Sequence, residues 1–275
     1  MPFNPNSVFG TLVVAVSLCL VCSLLVSIAA VSLRPMQEQN QLNKMRRNVL
    51  AVSGLAGDKH LSPKEIDELF EKVETQLVEL PDANAEAVKD LEAGEATDYD
   101  QAKAAKDPEL SIQIPVEKDI AGIKRREMVS KVYLVKSDAG QLDTVVLPIY
   151  GKGLWSTLYG FIALGADGQT VKGITFYQHA ETPGLGGEVD NPKWKAQWPG
   201  KVAVNESGTP VLDVTKPGNA SKDTEVDGLS GATITSNGVE NTVKYWLGEN
   251  GFGPYLAKLR ESGDSDTNAA VSQSR

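Results

Sequence analysis

The chain has 275 residues, with 27 Lys and Arg against 36 Asp and Glu, and a formal net charge of −9. This acidic balance argues against nucleic-acid binding, which needs a basic face. Because Cys19 and Cys22 both lie in an N-terminal apolar run and the chain has only two histidines, we predict neither a disulfide framework nor a metal site in the remainder.

The first predicted element is a membrane-spanning helix. Residues 10–33 contain no Lys, Arg, Asp or Glu, and as a helix they would extend roughly 36 Å, enough for a hydrocarbon core of about 30 Å. A cleaved signal peptide, with a site at 27–29, is the alternative, but the run is too long and no basic residue precedes it. We therefore predict a short N-terminal end, 1–9, and an uncleaved single-pass anchor over 10–33.

Charge alone leaves the orientation of this anchor ambiguous. Arg34, Lys44, Arg46 and Arg47 follow the span, and the positive-inside tendency would keep them in the cytoplasm. That tendency weakens when a long domain follows the span, so other evidence must decide the topology.

Residues 34–109 are predicted to form a helical, acidic segment between the anchor and a folded domain. The anchor helix should break at Pro35, at the membrane surface, then continue and end near Gly54 or Gly57. Residues 58–100 contain 14 acidic and 4 basic side chains, which accounts for the excess negative charge. This stretch is either a solvated face with a linker or a docking surface for a partner protein.

A second helix is predicted to begin at Ser62, which forms a capping box with Glu65. Pro81 should end it, and the Ala-, Glu- and Asp-rich residues 84–106 then have the composition of a helical spacer. The apolar stripe of this helix repeats at helical spacing and consists of Ile66, Leu69, Phe70, Val73 and Leu77.

From about residue 110 the pattern changes to the alternation that is typical of strands. The last two predicted strands of this region flank Ala166-Asp167-Gly168 and should form an antiparallel hairpin. A helix follows over 236–247, with one apolar side. We therefore predict an α+β fold with an antiparallel-sheet domain over 110–260 and a disordered tail over 261–275. The predicted strands cover 111–117, 130–137, 143–151, 158–165, 170–179 and 211–214.

The loop before the last predicted helix has the composition of an anion site. Small residues and hydroxyls run from Asp227 through Ser230, Gly231 and Ala232 into Thr233. Free backbone N–H groups and the positive end of a helix dipole would suit a phosphate there. Taken alone, these common residue types equally fit an ordinary capped turn.

The whole string resembles the flavinylation motif of the FMN-binding domain family, Asp-x-x-Ser-Gly-Ala-Thr. This resemblance implies that FMN is joined through its phosphate to Thr233 in a phosphoester bond made by a flavin transferase. It also implies that Asp227 helps to position the metal and substrate during attachment. The loop residues Ser230, Gly231, Ala232 and Thr235 would complete the cofactor site.

The stretch His-Ala-Glu-Thr-Pro-Gly-Leu-Gly, which begins at His179, resembles the turn of the same family that lies against the flavin ring. Leu185, after Gly184, can supply an apolar wall, and Glu181 and Thr182 can supply polar contacts. His179 either contacts the flavin or is a satisfied histidine of the core or turn.

Two further residues are candidates for the cofactor site. Trp155 matches the Gly-x-Gly-Leu-Trp element of the family and would stack on or edge the ring, unless it is a core tryptophan. Lys216 either offers a cation to the ring or ribityl chain or is solvated.

The chain as a whole resembles the anchored flavin subunits of the Na⁺-translocating NADH:quinone reductases and, as an alternative, of the Rnf-type electron-transport complexes. The resemblance implies an electron relay without a catalytic residue of its own, at the bacterial inner membrane, with the flavin domain in the periplasm and other subunits as partners. The chain has no glycine-rich dinucleotide motif and no acidic residue within the span. A colourless assembly module and a flavoenzyme with exchangeable FMN are the other hypotheses.

Overall fold

The computed structural model describes residues 7–57, 61–82 and 99–261. The chain divides after Met45 into two compact units. Helix α1, Val8–Val52, begins in the first unit and ends in the second. Its most apolar 18-residue window has a mean hydropathy of 2.8 and is not buried, so α1 is long and apolar enough to cross a membrane.

Helix α1 passes through Pro35 without the expected break. Proline removes one helical hydrogen bond, but the residues that follow it favour a helix, and Arg34 donates to Glu38 across the proline at 3.0 Å. The end of the helix is close to the predicted one, since Gly54 and Gly57, both at positive φ, form the turn after Val52.

The last turns of α1 belong to the second unit and pack into it. Val49 and Leu50 are fully buried. A Cβ at Gly173 would lie 2.6 Å from the carbonyl oxygen of Val52, so the helix end and the sheet meet at backbone distance. Arg46 bonds Asp67 at 2.6 Å and lies 5.0 Å from the centroid of the Phe70 ring.

Helix α2, Pro63–Phe70, begins with the predicted capping box. The prediction that it continues through Val73 and Leu77 is wrong, because these residues belong to strand β1, Val73–Glu79. All seven residues of β1 pair antiparallel with β4, Val129–Lys136, and this pairing outweighs the helical spacing of the apolar residues. The sheet therefore starts well before residue 110.

The main sheet has five antiparallel strands in the order β1-β4-β5-β6-β7. The predicted hairpin is confirmed, since β6 and β7 are neighbours. The remaining strands of this sheet are β5, Leu142–Lys152, β6, Thr157–Gly165, and β7, Val171–Gln178.

Two small sheets accompany the main one. In the first, β2, Ser111–Gln113, pairs antiparallel with β3, Arg125–Glu127. Strand β2 is shorter than the predicted strand because a turn follows at Pro115. In the second, β8, Asp213–Thr215, pairs in parallel with β9, Glu225–Asp227.

Short helices connect these strands: α3, Gln101–Ala104, a 3₁₀ turn, Gly186–Asp190, and α4, Pro192–Lys195. Helix α3 is the described part of the predicted spacer, since 83–98 lie outside the described residues. A final helix, α6, covers 253–261, and the rest of the predicted tail also lies outside them.

Helix α5, Thr233–Leu247, packs against the sheet and carries the flavin motif at its first residue. It begins three residues before the predicted start. Trp246 Nε1 donates to the carbonyl oxygen of Tyr150 on β5 at 2.7 Å, which joins the end of α5 to the central strand. The predicted apolar side is confirmed, because its members are all fully buried: Val239, Val243, Trp246 and Leu247.

A buried carboxylate lies beneath the sheet at the end of β3. Glu127 is fully buried, and it accepts hydrogen bonds from Tyr150 OH and Gln101 Nε2, each at 2.6 Å. Burial raises the pKa of Glu127, and the hydrogen bond from Tyr150 works against that rise. Tyr150 thus links this carboxylate to the strand under α5.

We expect Tyr150→Phe to lower the free energy of unfolding by about 1–3 kcal/mol, because it leaves a buried acceptor short of one donor. Urea unfolding of the full chain in detergent measures this loss. Tyr159→Phe, which changes a half-buried tyrosine stacked on Tyr150, is the matched control and should have a much smaller effect. Equal losses for the two variants would show that the ring packing, and not the hydrogen bond, carries the stability.

Candidate functional site

The first turn of α5 is an open anion site. Its N-cap residue, Ala232, supplies no side-chain cap. Among the residues that the structure describes, the N–H groups of Thr233, Ile234 and Thr235 have no acceptor. These three donors, together with the positive end of the helix dipole, favour a phosphate group beside the exposed Thr233 hydroxyl.

The loop that enters α5 is held by its own hydrogen bonds. Ser236 Oγ accepts from Leu229 N at 2.8 Å and donates to Ala232 O at 3.1 Å, which closes the turn before the helix. Gly231 has φ +72°, and a Cβ there would lie 3.1 Å from Leu185 Cδ2. A larger residue at 231 would therefore press against the side chain of the neighbouring turn. Ser230 is exposed.

Asp227 fixes the start of this loop. Its Oδ1 accepts from Ala220 N at 2.9 Å, and its carbonyl oxygen accepts from Trp194 Nε1 at 2.8 Å. Asp227 is half-buried, and its described bonds all lie within the protein. Its expected role during flavin attachment stays a prediction.

The carboxylate of Glu181 joins three segments of the chain. Its Oε1 accepts from Trp155 N at 2.9 Å and Ser156 N at 3.2 Å. Its Oε2 accepts from Thr235 Oγ1 at 2.7 Å and Leu154 N at 3.3 Å. The loop at 153–156, the turn at Glu181 and the first turn of α5 therefore meet at one side chain.

This carboxylate is ionised although it is 5% exposed. Burial raises its pKa, but the hydrogen bonds from Thr235 and from three backbone N–H groups outweigh burial, so the pKa lies below the usual glutamate value. Because the pKa is lowered in the folded state, these bonds contribute stability above the ordinary glutamate range, and that stability is lost as the pH falls through the lowered pKa.

Apolar side chains project from these joined segments into solvent. Trp155 is 66% exposed, so its interpretation as a core tryptophan is wrong. Among the described residues of the second unit, six large apolar side chains are exposed, and four of the six lie on the segments that Glu181 joins: Leu154, Trp155, Leu185 and Ile234. They form what we call the apolar face, which a planar aromatic ring would cover.

Several other predicted residues lie at the margin of this face. Thr182 and Gly184 belong to the turn before Leu185, and Gly184 is exposed. Lys216 is exposed in the turn after β8, and Thr215 O accepts from Gly228 N at 2.8 Å, which brings that turn beside the flavin loop.

His179 is satisfied by protein partners. Its Nδ1 accepts from Glu181 N at 3.2 Å, so Nε2 carries the proton that is donated to Asp190 Oδ2 at 2.9 Å. This geometry agrees with the interpretation of His179 as a satisfied turn histidine.

The site fits FMN by two independent features. The uncapped amides of α5 match a phosphate, and the apolar face matches an isoalloxazine ring. Sequence reasoning missed Ile234 as part of this face and missed the four bonds of Glu181. An apolar residue directly after the motif threonine was a visible signal for Ile234, whereas bonds that span 25 to 54 residues of sequence left none.

Comparisons with known proteins agree with this geometry. The FMN-binding domain family matches residues 153–248, which contain the Trp155 loop, the Glu181 turn and the start of α5. This match confirms the FMN-binding domain that the motifs predicted.

Similar proteins extend the likeness to nearly the whole chain. The NqrC protein of the Na⁺-translocating NADH-quinone reductase of Yersinia pestis is 47% identical over 262 residues, 94% of this chain and 96% of the relative. Its counterpart in Pseudomonas aeruginosa is 48% identical over 263 residues, 94% of this chain and 98% of the relative. The crystal structure of NqrC from Shewanella oneidensis has 34% identity and a TM-score of 0.70, covering 82% of this chain and 99% of that one.

Proposed function

Because the chain belongs to the NqrC family of Na⁺-translocating NADH-quinone reductases, we propose that Thr233 carries its FMN in a phosphoester bond. The chain is an FMN-binding electron-transfer subunit of that complex. The relatives favour this complex over the Rnf-type alternative.

The observation that carries the proposal is the exposed Thr233 hydroxyl at the first, uncapped turn of α5. A phosphodiester on that oxygen would carry one negative charge next to three amide donors without acceptors among the described residues. Such a terminus stabilises an anion through both hydrogen bonds and the helix dipole.

The open form of the apolar face supports a covalent bond. Small-molecule sites that hold a ligand by contacts alone usually enclose most of its surface, whereas Trp155 and Ile234 are each more than half exposed. A tether turns weak ring contacts into an intramolecular equilibrium. The flavin can then stay bound while one ring edge remains accessible to another redox centre.

The same proposal includes a place in the cell. Helix α1 anchors the chain in the membrane, as expected of a member of a membrane complex. The flavin domain would face the periplasm, where a flavin transferase would modify Thr233. The other subunits would donate and accept the electron and move sodium, because 10–33 contain no ionisable acid.

Acid precipitation of the membrane-purified chain separates this proposal from the two other hypotheses. We expect the flavin absorbance to stay with the pellet, because a phosphoester survives the loss of the fold. Release of the flavin into the supernatant would indicate exchangeable FMN and a flavoenzyme. A colourless preparation would indicate an assembly module, and either result would contradict the proposal.

A further inference from the structure

We propose that Glu181 is a positioning residue, which holds the apolar face and the first turn of α5 together and makes no hydrogen bond to the flavin. The inference rests on the proposed function, because it concerns how the site for FMN on Thr233 is built. It differs from the prediction that Glu181 supplies a polar contact to the ring.

The hydrogen-bonding capacity of Glu181 is the first argument. A carboxylate offers about four lone-pair positions, and Glu181 accepts from four donors: Leu154 N, Trp155 N, Ser156 N and Thr235 Oγ1. No position is left for a donor of the flavin, such as the N–H group of its ring.

The close packing around the carboxylate is the second argument. A Cβ at Gly153 would lie 2.6 Å from Glu181 Oε1, and one at Gly186 would lie 2.7 Å from Oε2. The glycines thus leave space for the carboxylate and for nothing else. A ligand atom could reach the oxygens only by displacing backbone.

The identity of the connected segments is the third argument. Trp155 and Leu154 receive their backbone position from Glu181, and Thr235 lies two residues after the attachment residue Thr233 on the same helix. In the described residues, no lysine, arginine or histidine forms an ion pair with this carboxylate. Glu181 therefore also keeps an unpaired negative charge beneath the flavin site.

Two consequences follow for variants of this carboxylate. Glu181→Gln introduces an NH₂ group that faces N–H donors, so the loop at 153–156 should separate from α5. Because reduction adds an electron, removal of a nearby negative charge should also shift the flavin potential to more positive values. Thr235→Val removes only the link to α5, and Thr235→Ser retains it.

The test measures covalent FMN per chain by intact mass, and the flavin midpoint potential by spectroscopic titration, in the full chain matured with its flavin transferase. We expect Glu181→Gln and Thr235→Val to lower the flavinylated fraction several-fold. Thr235→Ser should restore it, and the flavin that attaches to Glu181→Gln should have a more positive potential. Glu188→Gln, on the same turn but bonded to Asn191, is the control and should match the wild type.

Normal loading and an unchanged potential in Glu181→Gln would overturn the inference. So would a loss of flavin in Glu181→Gln together with full loading of Thr235→Val, because that pattern indicates a direct contact between Glu181 and the flavin. If Glu181→Gln fails to fold, the comparison of Thr235→Val with Thr235→Ser decides alone. A wild-type chain without an adduct would instead contradict the proposed function.

Discussion

Thr233→Ala is expected to remove the covalent flavin completely and to abolish electron transfer through this subunit. Alanine keeps the first turn of α5 and its three amide donors, so the fold should survive. Without the hydroxyl, however, no phosphoester can form, and the open apolar face is too exposed to retain FMN during purification.

The measurement is the flavin content of the purified chain, followed by NADH-driven quinone reduction in the assembled complex. Thr209→Ala, which changes an exposed threonine outside the site, is the matched control and should keep both flavin and activity. Full covalent loading of Thr233→Ala would place the attachment elsewhere and contradict the account.

Gly238→Ala is expected to have the largest effect on stability. A Cβ at Gly238 would overlap the carbonyl oxygen of Lys152 at the end of β5 and lie 3.3 Å from Gly153 Cα. Both neighbours are backbone atoms and cannot move aside as a side chain could. Although alanine is favoured over glycine in a helix by roughly 1 kcal/mol, we expect the overlap to produce a net loss of about 1–3 kcal/mol.

Urea unfolding of the full chain in detergent measures this loss. Asn237→Ala, at the adjacent exposed position of α5, makes the same new residue without the overlap and should be neutral or slightly stabilising. Because Gly238 holds α5 against the loop that carries Trp155, Gly238→Ala should also reduce flavin loading. Equal stability of the two variants would show that α5 does not need this close approach.

Local patterns predicted the parts of the fold whose contacts are local. The hairpin of β6 and β7 follows from alternation around a short turn, and the apolar side of α5 follows from helical spacing. The apolar composition of α1 likewise indicated an anchor.

Elements that depend on distant partners were not predictable in the same way. Val73 and Leu77 fit a helical stripe, yet they form β1 because β4, more than 50 residues later, offers a pairing edge. The parallel pairing of β8 with β9 is also non-local, and three-residue strands carry too little pattern to reveal it.

The candidate site divides along the same line. The motif and its resemblance identified Thr233, Trp155 and Leu185, which lie together with exposed side chains. The bonding of Glu181 could not be inferred, because its four donors come from two segments on opposite sides of it in the sequence. The type of residue suggested a ligand contact, whereas its surroundings indicate a positioning role.

The most direct test of the central claim is the intact mass of the wild-type chain, purified from membranes of a host that makes the flavin transferase. The account predicts a mass that exceeds the amino-acid sequence by one FMN less one water, and fragmentation that assigns the excess to Thr233. A chain with the mass of its amino acids alone, or with the excess on another residue, would contradict it.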